Sequence, residues 1–242
     1  MAKLSELVSV LSDISGIPAG TCREVSRRLR EADLIQTGKG GRYGGAHMTA
    51  EDAAALLTAL MLVRTSAGSL NNIVRDTDWH LKWLRAYGGN DRVHLDCWER
   101  RLGLRQLCAL PKGHTFGEAL SALINSVSVG EFDRCLERWV RDPRPGVSPA
   151  FAVRLEITSS PWVEAAKIEF DIPSLGILNL FYYSPGEART VRMYSPRNWS
   201  EVRDGEDLRV TAAVREATLK TIGILLRNGE TDSASDRGNG KR

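Results

Sequence analysis

Arginine side chains are the groups in this sequence whose type and spacing favour a chemical role. Six basic residues lie between Thr21 and His47 against three acidic ones, so this short stretch carries an excess of positive charge. The guanidinium group binds phosphate oxygens and the O6/N7 edge of guanine through paired N–H donors. A basic surface of this kind is typical of nucleic-acid-binding proteins, and it is also found on ordinary solvated helices. The basic residues are Arg23, Arg27, Arg28, Arg30, Lys39 and Arg42.

The arginines fall on one side of a predicted helix at residues 19–32. With about 100° between successive residues, four residues gather on one narrow face: Cys22, Val25, Leu29 and Ala32. The opposite face carries the arginines, with a serine to one side: Arg23, Arg27, Arg30 and Ser26. A helix with one apolar face and one arginine face is suited to lie between a protein core and a DNA groove.

No other combination of residues matches a catalytic or metal-binding pattern. His94 and Cys97, with Cys108 and His114, offer four possible zinc or iron–sulfur ligands, but their spacing matches no regular site. The sequence has no Gly-x-Ser-x-Gly or His-Glu-x-x-His motif. The glycines around Lys39 lack the residues that complete a phosphate-binding loop. We therefore expect no enzymatic activity, no metal and no cofactor.

Hydrophobic periodicity places the basic segment among helices and a hairpin. Residues 4–14 are predicted to be helical, and a tight connection at 15–18 leads to the helix at 19–32. Residues 34–49 are predicted to form a β-hairpin with a glycine-rich basic tip. Thr49 and Asp52 form an acidic capping box that opens a helix at 50–63, apolar on nearly every side. Such a helix must be buried in a domain core or in a dimer interface.

The rest of the chain is predicted to change from helices to strands. Helices are expected at 70–87, 93–107, 116–127 and 132–140, and the capping box that opens the third consists of Thr115 and Glu118. After a proline-rich segment the apolar period changes from about 3.6 to about 2. This alternation predicts strands at 151–158, 166–170, 177–183 and 190–194, followed by a helix at 208–226. The fold class is α+β, with an antiparallel sheet and one closing helix.

These patterns divide the chain into four parts. The predicted parts are a DNA-binding domain at 1–66, a helical dimerisation or linker region at 67–148, an α+β domain at 149–229 and a disordered tail at 230–242. The segment 142–149 contains three prolines and a glycine, so few packed contacts should cross it. We therefore expect residues 1–141 to fold and bind DNA on their own.

Two stretches of the N-terminal part resemble a known DNA-binding module. GIPAGTCREVSRRLREADLI resembles the turn and recognition helix of bacterial winged helix-turn-helix regulators of the IclR and MarR type, and GKGGRYGGAHMT resembles their wing. The resemblance covers about a fifth of the chain. It implies that the second helix lies in the major groove and that the wing reaches the backbone or the minor groove. It also implies DNA contacts from Thr21, Arg23, Ser26, Arg27 and Arg30 on the helix, and from Lys39, Arg42 and Tyr43 on the wing.

The sequence departs from that module in two places. Asp33 stands where a glycine usually precedes the Leu34-Ile35 pair, and aspartate can adopt the left-handed conformation required there. Only one helix precedes the recognition helix, whereas the usual module has two. Either the helix at 50–63 completes the core of the module, or the module is abbreviated.

We therefore predict a sequence-specific DNA-binding transcriptional regulator, acting as a repressor, with its recognition helix at about 19–32 and its wing at about 36–48. The alternatives are a replication-initiation or mobile-element maintenance protein, and a protein-interaction adaptor whose winged helix does not bind DNA. The expected partners are double-stranded DNA and further copies of the chain in a homodimer or higher oligomer; a small-molecule or protein effector is left open.

The sequence also predicts where the protein works. The longest apolar run, Ala53–Val63, is interrupted by Thr58 and is too short to cross a membrane. The first residues lack the apolar segment of a signal peptide. We therefore expect a cytoplasmic protein without membrane contact.

Overall fold

The computed structural model describes residues 3–36, 47–65, 70–86, 102–141, 152–159, 164–172, 176–184 and 210–238. The α+β prediction is confirmed at the level of a mixed helical and antiparallel sheet protein. The helices of the described residues are α1 (Leu4–Ser15), α2 (Ala19–Glu31), α3 (Ala50–Thr65), α4 (Ile73–Trp83), α5 (Arg105–Cys108), α6 (Phe116–Ser128), α7 (Glu131–Arg141) and α8 (Glu216–Gly238). The strands are β1 (Arg85–Ala86), β2 (Ala152–Ser159), β3 (Glu164–Ile172), β4 (Gly176–Tyr183) and β5 (Val210–Arg215).

Local capping explains where the N-terminal helices begin and end. The backbone N–H of Lys3 donates to Glu6 Oε2 at 2.9 Å, which caps the start of α1. Gly16 ends α1 in the left-handed conformation, with φ of 68°. After α2 the chain turns at Asp33, whose φ of 56° is the left-handed conformation that was expected of this aspartate.

Asp52 holds the two ends of the predicted hairpin together at the start of α3. Its Oδ2 accepts the backbone N–H and the hydroxyl of Thr49, at 2.8 and 2.9 Å, which confirms the acidic capping box. Its Oδ1 accepts the backbone N–H of Gln36 at 2.8 Å. A single-residue bridge joins Lys3 and His47. Gln36 and His47, the residues on either side of the segment 37–46, are therefore held beside the start of α3 and the start of α1.

Helix α3 lies at the centre of the fold. Its residues Ala53 to Leu62 are all buried, at most 3% exposed. It packs against α1 and α2 on one side, against α4 and α6 on another, and against β2, β5 and α8 as well. Of the two environments expected for an all-round apolar helix, the structure has the domain core.

The sheet has the order β1-β4-β3-β2-β5 and is antiparallel throughout. Alternate residues of the three central strands are buried towards the helices, as the period of two predicts: Val153, Leu155, Ile157, Ile168, Phe170, Leu178, Leu180 and Tyr182. The register pairs Leu155 with Ile168 on one side and with Val214 on the other. The apolar face of the sheet thereby meets the helical layer.

Helices α6 and α8 approach closely because α8 has a glycine, Gly223, where it faces α6. A Cβ atom on Gly223 would lie 2.5 Å from Val127 Cβ and 3.1 Å from the Ser128 backbone nitrogen. Close to this contact, Arg227 Nε donates to the Ser128 carbonyl at 2.7 Å, and its Nη2 donates to the Val127 carbonyl. One arginine thus satisfies two carbonyls at the C-terminal end of α6.

Several predicted elements differ from the structure. Residues 34–36 form a turn rather than a strand, because the Leu34 N–H closes back onto the Leu29 carbonyl. The helix predicted at 70–87 ends at Trp83, because Leu84 and Ala86 exchange backbone hydrogen bonds with Phe116 and His114. The expected strand at 190–194 and the first part of the expected helix at 93–107 lie outside the described residues.

The C-terminal prediction was wrong at both ends of its helix. Residues 210–215, expected to be helical, form β5, which completes the edge of the sheet beside β2. Two alanines in this stretch favour a helix, and pairing with β2 overrides that preference. At the other end, α8 continues to Gly238 through the segment predicted to be disordered from Glu230. Extending an established helix needs no new nucleation, so one glycine at 229 does not end it.

The segments that were predicted to be separate domains share one hydrophobic core. The first two expected boundaries fall beside or within segments outside the described residues, 66–69 and 142–150, and the third, after residue 229, falls inside α8. On either side of them, one hydrophobic cluster extends from Leu7 in α1 to Leu226 in α8. The division therefore stays a prediction about sequence segments, and these segments do not have separate cores.

Candidate nucleic-acid interface

The connection between α1 and α2 is fixed by its own hydrogen bonds. Ser12 Oγ donates to the Ile17 carbonyl at 2.7 Å, and the Ile17 N–H donates to Ser15 Oγ at 3.2 Å. Ile17 is 7% exposed and belongs to the core. Only three residues, 16–18, separate the end of α1 from the start of α2. This short, hydrogen-bonded turn therefore sets the position of α2 against α1.

Helix α2 has the two faces that its sequence predicts. Cys22, Val25 and Leu29 are completely buried. Ala32, predicted on the same face, is exposed, because the helix ends at Glu31 and Ala32 lies just beyond it. Arg23, Arg27 and Arg30 are exposed, and Thr21 is half-buried. All four of these predicted contact residues therefore have accessible side chains.

Ser26 is the exception among the predicted residues of α2. It is 3% exposed, and its hydroxyl donates to the Arg23 carbonyl at 2.8 Å. The hydroxyl is satisfied within its own helix, so Ser26 packs beside α1 instead of presenting a donor to a ligand. The prediction that Ser26 faces DNA does not fit this burial.

A groove of about 510 Å³ runs between α1 and α2. One wall is rich in hydroxyl groups and the other in guanidinium groups. The residues of α1 are Leu4, Ser5, Val8, Ser9, Ser12 and Asp13, and those of α2 are Ala19, Arg23, Ser26, Arg27 and Arg30. A groove with this lining offers hydrogen-bond donors to an anionic ligand.

Arg27 is held by two carboxylates of its own helix. Its Nε and Nη2 donate to the two oxygens of Glu24 at 2.9 and 2.8 Å, and its Nη1 donates to Glu31. The hydrogen bonds from Arg27 and Arg28 lower the pKa of Glu24 to about 2, and the hydrogen bond to Glu24 raises the pKa of Arg27. Glu24 is therefore ionised at neutral pH.

Arg28 has a structural position that the sequence analysis did not assign. Its Nε donates to Glu24 Oε1 at 2.7 Å, and its Nη1 donates to the Leu70 carbonyl at 2.7 Å. Arg28 thereby connects α2 to the segment that precedes α4. The carboxylate partners of Arg27 and Arg28 lie three or four positions away along α2. This spacing in the sequence was therefore a usable signal for the ion pairs with Glu24.

Arg23 and Arg30 form the available part of the arginine face. Within the described ranges, neither side chain makes an ion pair or a side-chain hydrogen bond. Both are exposed and line the groove. The three arginines of this face thus fall into two classes, one held by carboxylates and two available to a ligand.

The predicted wing contacts lie in a segment of which only the ends are described. Lys39, Arg42 and Tyr43 fall outside the described residues, and so do His94 and Cys97. Of the other suggested metal ligands, Cys108 is exposed, whereas His114 is buried and hydrogen-bonded through Nε2 to Tyr182 Oη at 3.1 Å. In the part of the chain that the structure describes, no group of three histidine, cysteine or acidic residues is placed to hold a metal ion.

Several other titratable side chains of the described residues are buried in the protein. Burial lowers the pKa of His80 and of His114, and it raises the pKa of the Cys22 and Cys135 thiols. A thiol with a raised pKa is a poor nucleophile.

Among the described helices, none has the length and apolar character needed to span a bilayer.

Similarity to other proteins gives no assignment: the chain matches no protein-family model, and no curated protein or solved structure is significantly similar to it.

Proposed function

We propose that this chain is a sequence-specific regulator that binds double-stranded DNA through α1 and α2, with α2 as the recognition helix. One observation carries the proposal. Helix α2 buries its apolar face completely and presents Arg23 and Arg30, exposed and without described partners, beside an open groove. Exposed guanidinium groups without carboxylate partners are available to phosphates and to the edges of guanines.

The packing of α3 supports a helix-turn-helix module that is complete. The usual module has a further helix before the pair, and within the described residues α1 is the first helix. Because α3 packs against both α1 and α2, it can take the place of that helix in the core. This contact favours the alternative in which a later helix completes the module over the alternative of an abbreviated one.

The anchored ends of the segment 37–46 support a wing. Asp52 binds Gln36 on one side and Thr49 on the other, and His47 pairs with Lys3 beside the start of α1. A segment fixed at both ends beside the helix pair is the arrangement that a DNA-contacting wing needs. Lys39, Arg42 and Tyr43 are the residues that we propose for these contacts.

Repression and dimer formation are further parts of the proposal. A dimer would place two recognition helices on an inverted repeat and would cover more DNA than one module does. Because α3 is used inside the fold, the contact between subunits would have to involve other surfaces. We propose that the protein acts in the cytoplasm, where the DNA of a bacterium or phage is accessible.

The test compares two double variants that remove the same charge. In vitro selection from a random duplex library, together with footprinting of the DNA beside its own gene, would supply a specific site. Arg23→Ala/Arg30→Ala should then weaken binding to that site by about tenfold or more. It should also lower the salt slope by about one for each arginine that contacts a phosphate.

The matched control is Arg134→Ala/Arg138→Ala on α7. Both of these arginines are exposed, and neither has an ion pair within the described residues. We expect the control variant to bind as the wild type does. Equal losses in the two variants would mean that charge alone drives binding, and no salt-dependent binding by the wild type would favour the protein-interaction adaptor.

A further inference from the structure

The hydrogen bonds of Arg27 leave only part of its guanidinium group available. The edge formed by Nε and Nη2 is occupied by both oxygens of Glu24, and Nη1 is bonded to Glu31. All three side chains are on the exposed side of α2, and the arginine also lines the groove. We name this group of three residues the Arg27 clasp.

We propose that the Arg27 clasp is a specificity-determining element that reads a guanine–cytosine pair and withholds Arg27 from the phosphate backbone. The proposal rests on the proposed function, because it assumes that α2 enters the major groove. It assigns the two carboxylates a role in discrimination between base pairs, in addition to their role within the helix.

The chemistry of the two competing ligands supports this role. A phosphate group only accepts hydrogen bonds, and it is repelled by Glu24 and Glu31, so it gains little by displacing them. A guanine–cytosine pair offers acceptors at guanine O6 and N7 for arginine, and a donor at cytosine N4 for a carboxylate. The arginine and one carboxylate of the clasp can therefore form hydrogen bonds with this base pair at the same time, whereas a phosphate offers no donor for the carboxylate.

The clasp also differs from its neighbours on the same face. Arg23 and Arg30 have no carboxylate partner among the described residues, so they can contact phosphates of any sequence. Arg27 has two partners, and an exposed ion pair is weak enough to exchange for a ligand that matches it. The arrangement separates general affinity from base discrimination along one helix.

The experiment measures binding to a random duplex and repeats the in vitro selection with variants. Glu31→Gln frees one side of the clasp and removes no other ion pair or side-chain hydrogen bond within the described residues. Glu24→Gln/Glu31→Gln frees both sides and also removes a partner of Arg28. We expect Glu31→Gln to strengthen binding to the random duplex about two- to fivefold, since Arg27 then becomes available to phosphates. Selection with the wild type should return a guanine–cytosine pair at one position, and the double variant should tolerate other pairs there.

Two controls separate the clasp from a simple change of charge. Glu51→Gln removes a carboxylate that is exposed at the start of α3, lies outside the groove and has no ion pair within the described residues. We expect it to leave the selected sequence unchanged. In an Arg27→Ala background, Glu31→Gln should no longer strengthen binding to the random duplex, and melting temperatures would show that each variant is folded.

The outcomes distinguish the clasp from the proposed function. If Glu51→Gln and Glu31→Gln act alike, or if the effect of Glu31→Gln persists without Arg27, the clasp has no role in discrimination. If Arg23→Ala/Arg30→Ala weakens binding in the same experiments, DNA binding stands and only the clasp is refuted. If the wild type binds no DNA, both proposals fall.

Discussion

The contact between α6 and α8 makes Gly223→Ala a test of how tightly the helical layer is packed. In the middle of a helix, alanine is favoured over glycine by about 1 kcal/mol, so a neutral site would gain stability from this change. At Gly223 the new Cβ would lie 2.5 Å from Val127 Cβ and 3.1 Å from the Ser128 nitrogen, which belongs to the backbone. Ordinary carbon–carbon contacts need about 3.5–4.0 Å. The helices must therefore separate by about 1 Å.

The cost of that separation exceeds the gain in helix propensity. Overpacking of a close contact costs about 1–3 kcal/mol, and the upper end applies where backbone atoms cannot turn away. The Arg227 hydrogen bond to Ser128, at 2.7 Å, would lengthen towards its limit. Subtracting the gain of about 1 kcal/mol, we expect Gly223→Ala to lower the free energy of unfolding by about 2 kcal/mol.

Urea denaturation of the full chain measures this difference, and Gly20→Ala is the matched control. Gly20 also lies in a helix, and a Cβ there would meet no atom within 4 Å. We expect Gly20→Ala to leave the midpoint unchanged or to raise it. If Gly223→Ala raised the midpoint as much as Gly20→Ala does, the close approach of α6 and α8 would be refuted.

Three further predictions concern the core. Leu60→Asp places a charge at a site that is 1% exposed, which costs several kcal/mol of folding free energy. We expect this variant to lose its cooperative melting transition, and a folded variant would contradict the central position of α3. Because burial lowers the pKa of His80 and His114, the unfolded chain binds more protons below about pH 6.5. The free energy of unfolding should thus fall between about pH 7.5 and about pH 5.5 in urea titrations, and a constant value would exclude buried neutral histidines. Residues 1–141 alone would expose the surfaces of α3 and α6 that β2, β5 and α8 cover, so we now expect this fragment to bind a hydrophobic dye and to lack a sharp melting transition.

Elements with a local cause were predictable from the sequence. The capping box of Thr115 and Glu118 predicted the start of α6, and both of its hydrogen bonds are present, at 2.6 and 3.1 Å. The alternation at 151–158 and 177–183 predicted β2 and β4 to within one or two residues. In each case, residues within a few positions of each other decide the structure, so a short window contains the necessary information.

Elements that depend on distant partners were not predictable in this way. β5 forms because β2 offers it an edge, and β1 forms because β4 and the residues before α6 lie beside it. The shared core was missed for the same reason. The proline-rich segment suggested a boundary, but the packing of α3 against β2 and β5 joins residues far apart in the sequence.

The candidate site was predictable in its composition and less so in the state of each side chain. The helical wheel separated the exposed arginines from the buried Cys22, Val25 and Leu29 correctly, but it also placed Ala32 on the buried face, and Ala32 is exposed. It did not predict that Ser26 packs beside α1, because the groove between two helices depends on how they meet. It also treated the arginines of the exposed face as equal, although Glu24 and Glu31 at helical spacing single out Arg27.

The central position of α3 has a thermodynamic consequence for any ligand of α2. Because α3 contacts α2 on one side and β5 on another, the helix pair and the sheet share one set of buried contacts and should unfold as one unit. A ligand that binds only the folded state stabilises everything that unfolds with its site. DNA bound at α2 would then slow hydrogen exchange at Leu155 and Ile168 in the middle of the sheet, although β2 and β3 contain none of the residues proposed to contact DNA.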